Sequence, residues 1–208
     1  MKNILIHGLG QNSKDWDTIK NELETRGISS VAPDLFDLAK GRKLDYPTVY
    51  QAFSELCESY QDKLNLCGLS LGGLLALNYA IQYPKKINSL VLIGTPFEIP
   101  KGLLKFQNIV FRFMPKAVFQ NMGVSKKDFI RLSKSMVDLN FMDSATALDC
   151  PALILCGAKD KTNMESAKRF HEAMKNSKLV IVEASGHEVN KDNPRKLVSI
   201  LQDFWVDN

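Results

Sequence analysis

The residue best placed to do chemistry is Ser70, in the run Gly68-Leu69-Ser70-Leu71-Gly72, which follows an apolar stretch at 63–67 and opens a helical pattern over 71–83. Glycines on either side suit a sharp strand-to-helix turn, where a strained backbone pushes the hydroxyl outward and larger neighbours would clash. The hydroxyl then lies at a helix N-terminus, whose dipole and unpaired N–H groups favour negative charge arriving beside it. A serine is a weak nucleophile until a base takes its proton, a second group orients that base, and donors receive the oxyanion. The pattern becomes informative when such partners follow other expected strands.

Each partner has a candidate. His187, in Glu183-Ala184-Ser185-Gly186-His187-Glu188 after the apolar run 178–182, is the base. Imidazole titrates near neutrality, so it can accept the serine proton and return it to a leaving group. His171 falls among charged residues of a helical pattern over 163–175 and reads as a surface side chain. His7 reads as a structural residue that ties its loop down by hydrogen bonds rather than as a second base. Asp160, just past the strand-like run 152–156, is the carboxylate that would fix the imidazole tautomer. Its competing reading is an Asx turn, or an N-cap for the helix starting near Asn163. Asp149, Asp143 and Glu98 are substitutes, though none follows a strand through a glycine-containing turn. The oxyanion donors would be the backbone N–H groups of Leu71, beside the nucleophile, and of Leu9, in the glycine-permissive turn His7-Gly8-Leu9-Gly10.

With these residues in view, the chain resembles the α/β-hydrolase-fold serine hydrolases over nearly its whole length. The resemblance rests on the His-Gly-x-Gly turn from His7 to Gly10, the elbow at Ser70 and the order Ser70, Asp160, His187. Trp16 and the run Pro33-Asp34-Leu35 are similar to the small carboxylesterase, haloperoxidase-like and biotin-pathway methyl esterase branches. The resemblance implies an enzyme that cleaves a carboxylic ester of small to medium acyl group through an acyl-enzyme, using a Ser-His-Asp triad. It leaves open an acyl-carrier- or CoA-linked methyl ester or thioester, and a carbon–carbon bond hydrolase or lyase on the same triad. A ligand-binding protein that keeps the fold without turnover is also left open, because one fold serves many chemistries. One departure stands out. The family usually begins with a two-stranded hairpin, whereas here the strand leading to the oxyanion turn starts at residue 3.

Six strands must carry these groups, and they are expected at 3–7, 29–33, 63–67, 87–94, 152–157 and 178–183. Helical patterns alternate with them, which predicts an α/β fold: a mostly parallel sheet of about six strands flanked by helices on both faces. Trp16, Ile19 and Leu23 form one apolar stripe at helical spacing, and Leu197, Ile200, Leu201, Phe204 and Trp205 form another, both core-facing. Asn193 before Pro194 marks the start of the last helix. Without the hairpin, the strand at 29–33 falls near a sheet edge, which leaves homodimerisation there open. At 208 residues and 45% hydrophobic content, the chain fits a single domain with a substantial core.

The stretch 97–147 is too long for a simple crossover and is expected to form a helical cap between the fourth and fifth strands. It holds Phe97, Phe106, Phe111, Phe113, Phe119, Phe129 and Phe141, seven of the eleven phenylalanines, with Met114, Met122, Met136 and Met142. These either line a water-excluding acyl pocket over Ser70 or pack the cap on the core. Lys101, Lys105, Arg112, Lys116, Lys126, Lys127, Arg131 and Lys134 stand against Glu98, Asp128, Asp138 and Asp143, a surplus equal to the chain's formal +4. Such a face suits solvent, and it would also attract an anionic substrate or an acidic carrier protein. No nucleic-acid module accompanies it. Met1-Lys2 leads directly into Ile4-Leu5-Ile6, too short an apolar run for an export signal, and no stretch suits a membrane span, so a cytoplasmic protein is expected. Cys57, Cys67, Cys150 and Cys156 lack CxxC spacing and read as free thiols. No histidine and cysteine cluster has metal spacing, and the glycines make no dinucleotide or phosphate-loop signature, so neither metal nor cofactor is expected.

Overall fold

The computed structural model describes residues 1–96, 111 and 114–208. Six strands, β1 (Lys2–Ile6), β2 (Ser30–Val31), β3 (Leu64–Leu69), β4 (Ile87–Ile93), β5 (Ala152–Gly157) and β6 (Ser177–Val182), form one sheet in the order β2-β1-β3-β4-β5-β6. Every neighbouring pair is parallel, so each connection must cross over a face of the sheet, and helices do this. They are α1 (Asp17–Thr25), α2 (Leu35–Leu38), α3 (Tyr46–Ser59), α4 (Leu71–Gln82), α5 (Lys116–Asn121), α6 (Lys126–Ser135), α7 (Met142–Ala145), α8 (Lys161–Ala173), α9 (Val189–Asp192) and α10 (Pro194–Val206). Because all strands run the same way, their C-terminal ends share one edge of the sheet, where loops can converge.

Side chains alternate across the strands and separate two cores. Leu5, Val91, Ile93, Leu153 and Leu155 face one side, against Trp16, Ile19 and Leu23 and the α10 residues Leu197, Leu201 and Phe204. Ile4, Ile6, Leu66, Leu90, Leu92 and Ile154 face the other, against α3 and α4. Both predicted stripes therefore face the core, with Ile200 only partly buried at its margin. Pro194 occupies the first turn of α10, as its missing N–H allows. Cys57, Cys67 and Cys156 are buried free thiols, and Cys150 is half-buried.

The edge strand β2 is shorter than the expected 29–33: only Ser30 and Val31 pair, with Asn3 and Ile4. Pro33 has no N–H for a ladder, and Asp34 turns away to cap α2, accepting from the N–H groups of Phe36 and Asp37. Among the described residues, three helices, α5 to α7, lie between β4 and β5. Their buried Phe119, Phe129 and Leu132 join the core on the α3 and α4 side. Phe119 and Phe129 meet edge to face at 5.1 Å, and Ser135 Oγ accepts from Tyr46 N–H at 2.7 Å. Phe97, Glu98, Lys101, Lys105, Phe106, Arg112 and Phe113 lie outside the described residues. No described helix is long and apolar enough to cross a membrane.

At the edge where the strands begin, register sets Asn3 of β1 beside Asn65 of β3 and Asn65 beside Ser89 of β4. The buried Asn65 amide donates to Asn3 Oδ1 at 2.8 Å, while its oxygen accepts from Asn88 Nδ2 at 2.8 Å and Ser89 Oγ at 2.7 Å.

Candidate active site

At the opposite edge, β3 gives way to α4 through Ser70 alone, whose φ of 51° and ψ of −110° lie where L-residues rarely sit. Such a conformation costs about 1–3 kcal/mol and persists only when its surroundings hold it. Ser70 N–H donates to Ile93 O at 2.9 Å, and Ser70 O accepts from Leu74 N–H at 3.0 Å. A β-carbon on Gly68 would collide with the backbone of Gly72 and Gly73, and one on Gly72 with the carbonyls of Ile6 and His7. The glycines are required because the turn brings β3, α4 and the end of β1 into backbone contact. Leu71 is the first residue of α4, so its N–H has no acceptor within the helix.

The end of β1 borders this elbow. A β-carbon built on Gly8 would stand 3.6 Å from Ser70 Cβ, so the Gly8-Leu9 turn lies against the nucleophile candidate. His7 is fully buried beneath it. Its Nε2 accepts from Leu35 N–H at 3.0 Å, which leaves Nδ1 to donate to Gly8 O at 2.9 Å. Burial pushes the His7 pKa below its ordinary value despite the Gly8 carbonyl, so the ring stays neutral and structural, as expected for this loop. From the loop after α5, Met122 reaches the same turn, its Cε 3.8 Å from a β-carbon built on Gly10.

Asp160 and His187 come from the ends of β5 and β6. Their loops are tied together: Ala158 N–H donates to Val182 O and Lys159 N–H to Ser185 O, each at 2.9 Å. Ala184 takes a φ of 60°, and Gly186 N–H donates to Asp192 Oδ2 at 2.7 Å. The result sets His187 Nδ1 at 2.8 Å from Asp160 Oδ2, with the imidazole 42% exposed and the carboxylate 5% exposed. Asp160 makes the bonds that both of its competing sequence roles call for. Its Oδ1 accepts from Asn163 N–H at 3.3 Å to cap α8, leaving Oδ2 for the ring. Asn163 Nδ2 adds bonds of 3.0 and 2.9 Å to the two carboxylate oxygens. That amide also lies 3.2 Å from His187 Nδ1. With Nδ1 donating to the carboxylate, this approach sets two donors side by side around one acceptor. Burial alone would raise the Asp160 pKa, but the bonds from His187 and Asn163 outweigh it and hold the carboxyl below its ordinary value.

Ser70 and this pair are neighbours through one peptide. Ser70 N–H is bonded to Ile93 O. A β-carbon built on the next residue, Gly94, would lie 3.0 Å from His187 Nδ1 and 3.3 Å from Asp160 Oδ2. An ionised carboxylate accepts the Nδ1 proton and leaves Nε2 with its lone pair, the state a general base needs.

The other candidates fall elsewhere. His171 is exposed and bonded to Ser177, while Asp143 and Asp149 are exposed. Lys126 Nζ donates to Met114 O at 2.8 Å and Arg131 pairs with Asp128 at 2.7 Å, so part of the basic surface is engaged internally. Sequence reasoning did not single out Asn163 as a partner of Asp160, although the three-residue spacing of an N-cap pointed to it. It also passed over buried Gln11 and Asn190, whose side chains bond each other and carry no local signal.

Comparison with known proteins bears on the fold that carries these residues. A model of the alpha/beta hydrolase fold matches residues 4–139. Lipase 3 of a Moraxella species is 26% identical over 225 residues, spanning 88% of this chain and 70% of the lipase. The pimeloyl-[acyl-carrier protein] methyl ester esterase of Salmonella heidelberg is 24% identical over 221 residues, spanning 97% of this chain and 80% of the esterase. Among solved structures, one from a study of carboxylesterases of the thaumarchaeon Nitrososphaera gargenis covers 99% of this chain and 89% of its own with a TM-score of 0.85. At 19% identity, that likeness is one of fold.

Proposed function

The chain belongs to the α/β-hydrolase fold family, and from that premise we propose that it hydrolyses carboxylic esters of small to medium acyl group through an acyl-enzyme on Ser70. The observation that carries this reading is the Asp160–His187 pair at 2.8 Å, set across the Ile93-Gly94 peptide from the strained Ser70 elbow. In the reaction, Ser70 Oγ attacks the carbonyl carbon as His187 Nε2 takes its proton. The carbonyl electrons move to oxygen, where the N–H groups of Leu9 and Leu71 receive the charge. Collapse of the tetrahedral species breaks the ester C–O bond, and His187 returns the proton to the departing alcohol. Water then repeats the sequence on the acyl-enzyme, restoring Ser70. Asp160 remains ionised throughout, fixing the tautomer and stabilising the imidazolium. Helices α5 to α7 serve as part of a cap in this reading, and Met122 against the oxyanion turn favours shorter acyl chains.

A fluorophosphonate probe tests the reaction. It labels the native protein and fails to label Ser70→Ala, and a p-nitrophenyl ester series shows turnover that is greatest at short to medium chain length. Absence of labelling on folded native protein, with no ester turnover, overturns the proposal.

A further inference from the structure

The geometry points to Gln11 as a positioning residue that locks the Leu9 turn to the His187 loop, a role that rests on the reaction just proposed. Gln11 is 1% exposed and every polar atom of its side chain is engaged. Its Oε1 accepts from Gly8 N–H at 3.4 Å and from Asn190 Nδ2 at 3.4 Å. Its Nε2 donates to Glu188 Oε1 at 2.8 Å and to Asn190 Oδ1 at 3.2 Å. Gln11 N–H also donates to Gly8 O at 3.2 Å, so backbone and side chain both grip the turn that carries Leu9.

The residues at the other end of these bonds begin directly after His187. Glu188 adjoins the imidazole in sequence, and Asn190, 2% exposed, opens α9 with a second tie from its Nδ2 to Asp15 O at 3.2 Å. Outside the buried pair, Lys191 Nζ bridges Asp15 at 3.0 Å and Glu188 at 3.2 Å. Gln11 thus joins residues 177 and 179 positions away, through the Glu188 carboxylate and a reciprocal amide pair with Asn190.

An apolar side chain could fill the same volume, but it would not fix register, because packing tolerates sliding that paired donors and acceptors do not. The donors for the oxyanion and the base for the nucleophile sit on different loops, and a displacement near 1 Å between them costs rate about a hundredfold. Gln11 is the residue that bonds to both loops. The role predicts an effect on the chemical step, with substrate binding untouched.

The test compares three variants by steady-state kinetics on p-nitrophenyl acetate, by thermal unfolding and by the rate of fluorophosphonate labelling. Gln11→Met keeps length and removes the amide: kcat and the labelling rate fall about tenfold or more while KM stays within about twofold. Asn65→Leu removes a buried amide at the other edge of the sheet: it lowers Tm and leaves kcat within about twofold of native. Gln11→Asn combined with Asn190→Gln exchanges the two amides and recovers activity that Gln11→Asn alone loses. Native-like kcat in Gln11→Met, or an exchange no more active than Gln11→Asn, overturns the role. Should Gln11→Met fail to fold, the exchange decides alone. A native protein that neither labels nor turns over ester overturns the reaction itself and this role with it.

Discussion

Where the strands begin, Asn3, Asn65, Asn88 and Ser89 satisfy one another across three adjacent strands. Where the strands end, Gln11 and Asn190 pair with each other, and Asp160, Asn163 and His187 form a second network across loops and helix starts. The first network is neutral and set by ladder register, with further bonds from Asn3 Nδ2 to Ser29 O and from Asn88 Nδ2 to Asn208 O. The second carries charge, leaves an imidazole 42% exposed and stands beside Ser70. Backbone strain follows the same division. Ser70 and Ala184, the two non-glycine residues of positive φ among those described, both lie at the ends of strands. Strain of this kind survives only where surrounding contacts over-determine it, and it gathers where a side chain must be presented rather than packed. The same chemical device, a buried amide with its bonds satisfied, stabilises the fold at one edge and, in the proposed reaction, orients reacting groups at the other.

The division is open to attack from both sides. Asp160→Asn keeps the shape of the pair but lets Nδ1 lose its preference for the proton, so ester turnover falls by about ten-thousandfold, far more than the accompanying loss of stability accounts for; a loss under about tenfold would break the contrast. At the other edge, Asn65→Leu strands the polar groups of Asn3 and Ser89, lowering stability by about 1–3 kcal/mol in urea unfolding while activity per folded molecule is kept. Lost activity there would show that the two edges are coupled.

A finer test separates roles within the site. Asn163→Leu removes bonds that hold Asp160 below the ordinary carboxyl range, and it reduces kcat about tenfold, the loss expected for one charge-assisted bond. The native Asp160 contribution to stability is present above the ordinary carboxyl pKa of 3.8 and is lost as pH falls through its lower folded value. In Asn163→Leu the folded value moves back toward 3.8, so the part of the acid-side fall in Tm that belongs to Asp160 becomes smaller. The smallest effect belongs to His7, which lies at the reacting edge but works as structure. Its folded pKa is below 6.5, so the unfolded chain binds the proton first. The stability it contributes is intact above pH 6.5 and declines as pH falls from there through the folded value. A Tm-against-pH series shows that slope in the native protein and a shallower one in His7→Asn.

Much of this division could be read from one dimension. Glycines around a serine between a strand pattern and a helix pattern are a local signal, and the structure shows the turn they predict at Ser70. The six strands fall within a few residues of expectation, since each is a short apolar run bounded by turn residues. The edge strand came out shorter, because Pro33 and the capping carboxylate of Asp34 end it after two residues. Asp160 had two readings that looked exclusive in sequence. The geometry is compatible with both, because a carboxylate has two oxygens, and here Oδ1 accepts from the helix N–H and Oδ2 faces the ring.

By itself, the sequence determined which residue types sit at the ends of which elements, because strand alternation, helix periodicity and turn chemistry are written within a few residues of each other. The tertiary structure alone decided that Gln11 finds Glu188 and Asn190, and that Asn65 joins three strands. Those partnerships depend on distances near 3 Å between groups brought together by parallel crossovers and strand register. No spacing along the chain encodes such distances.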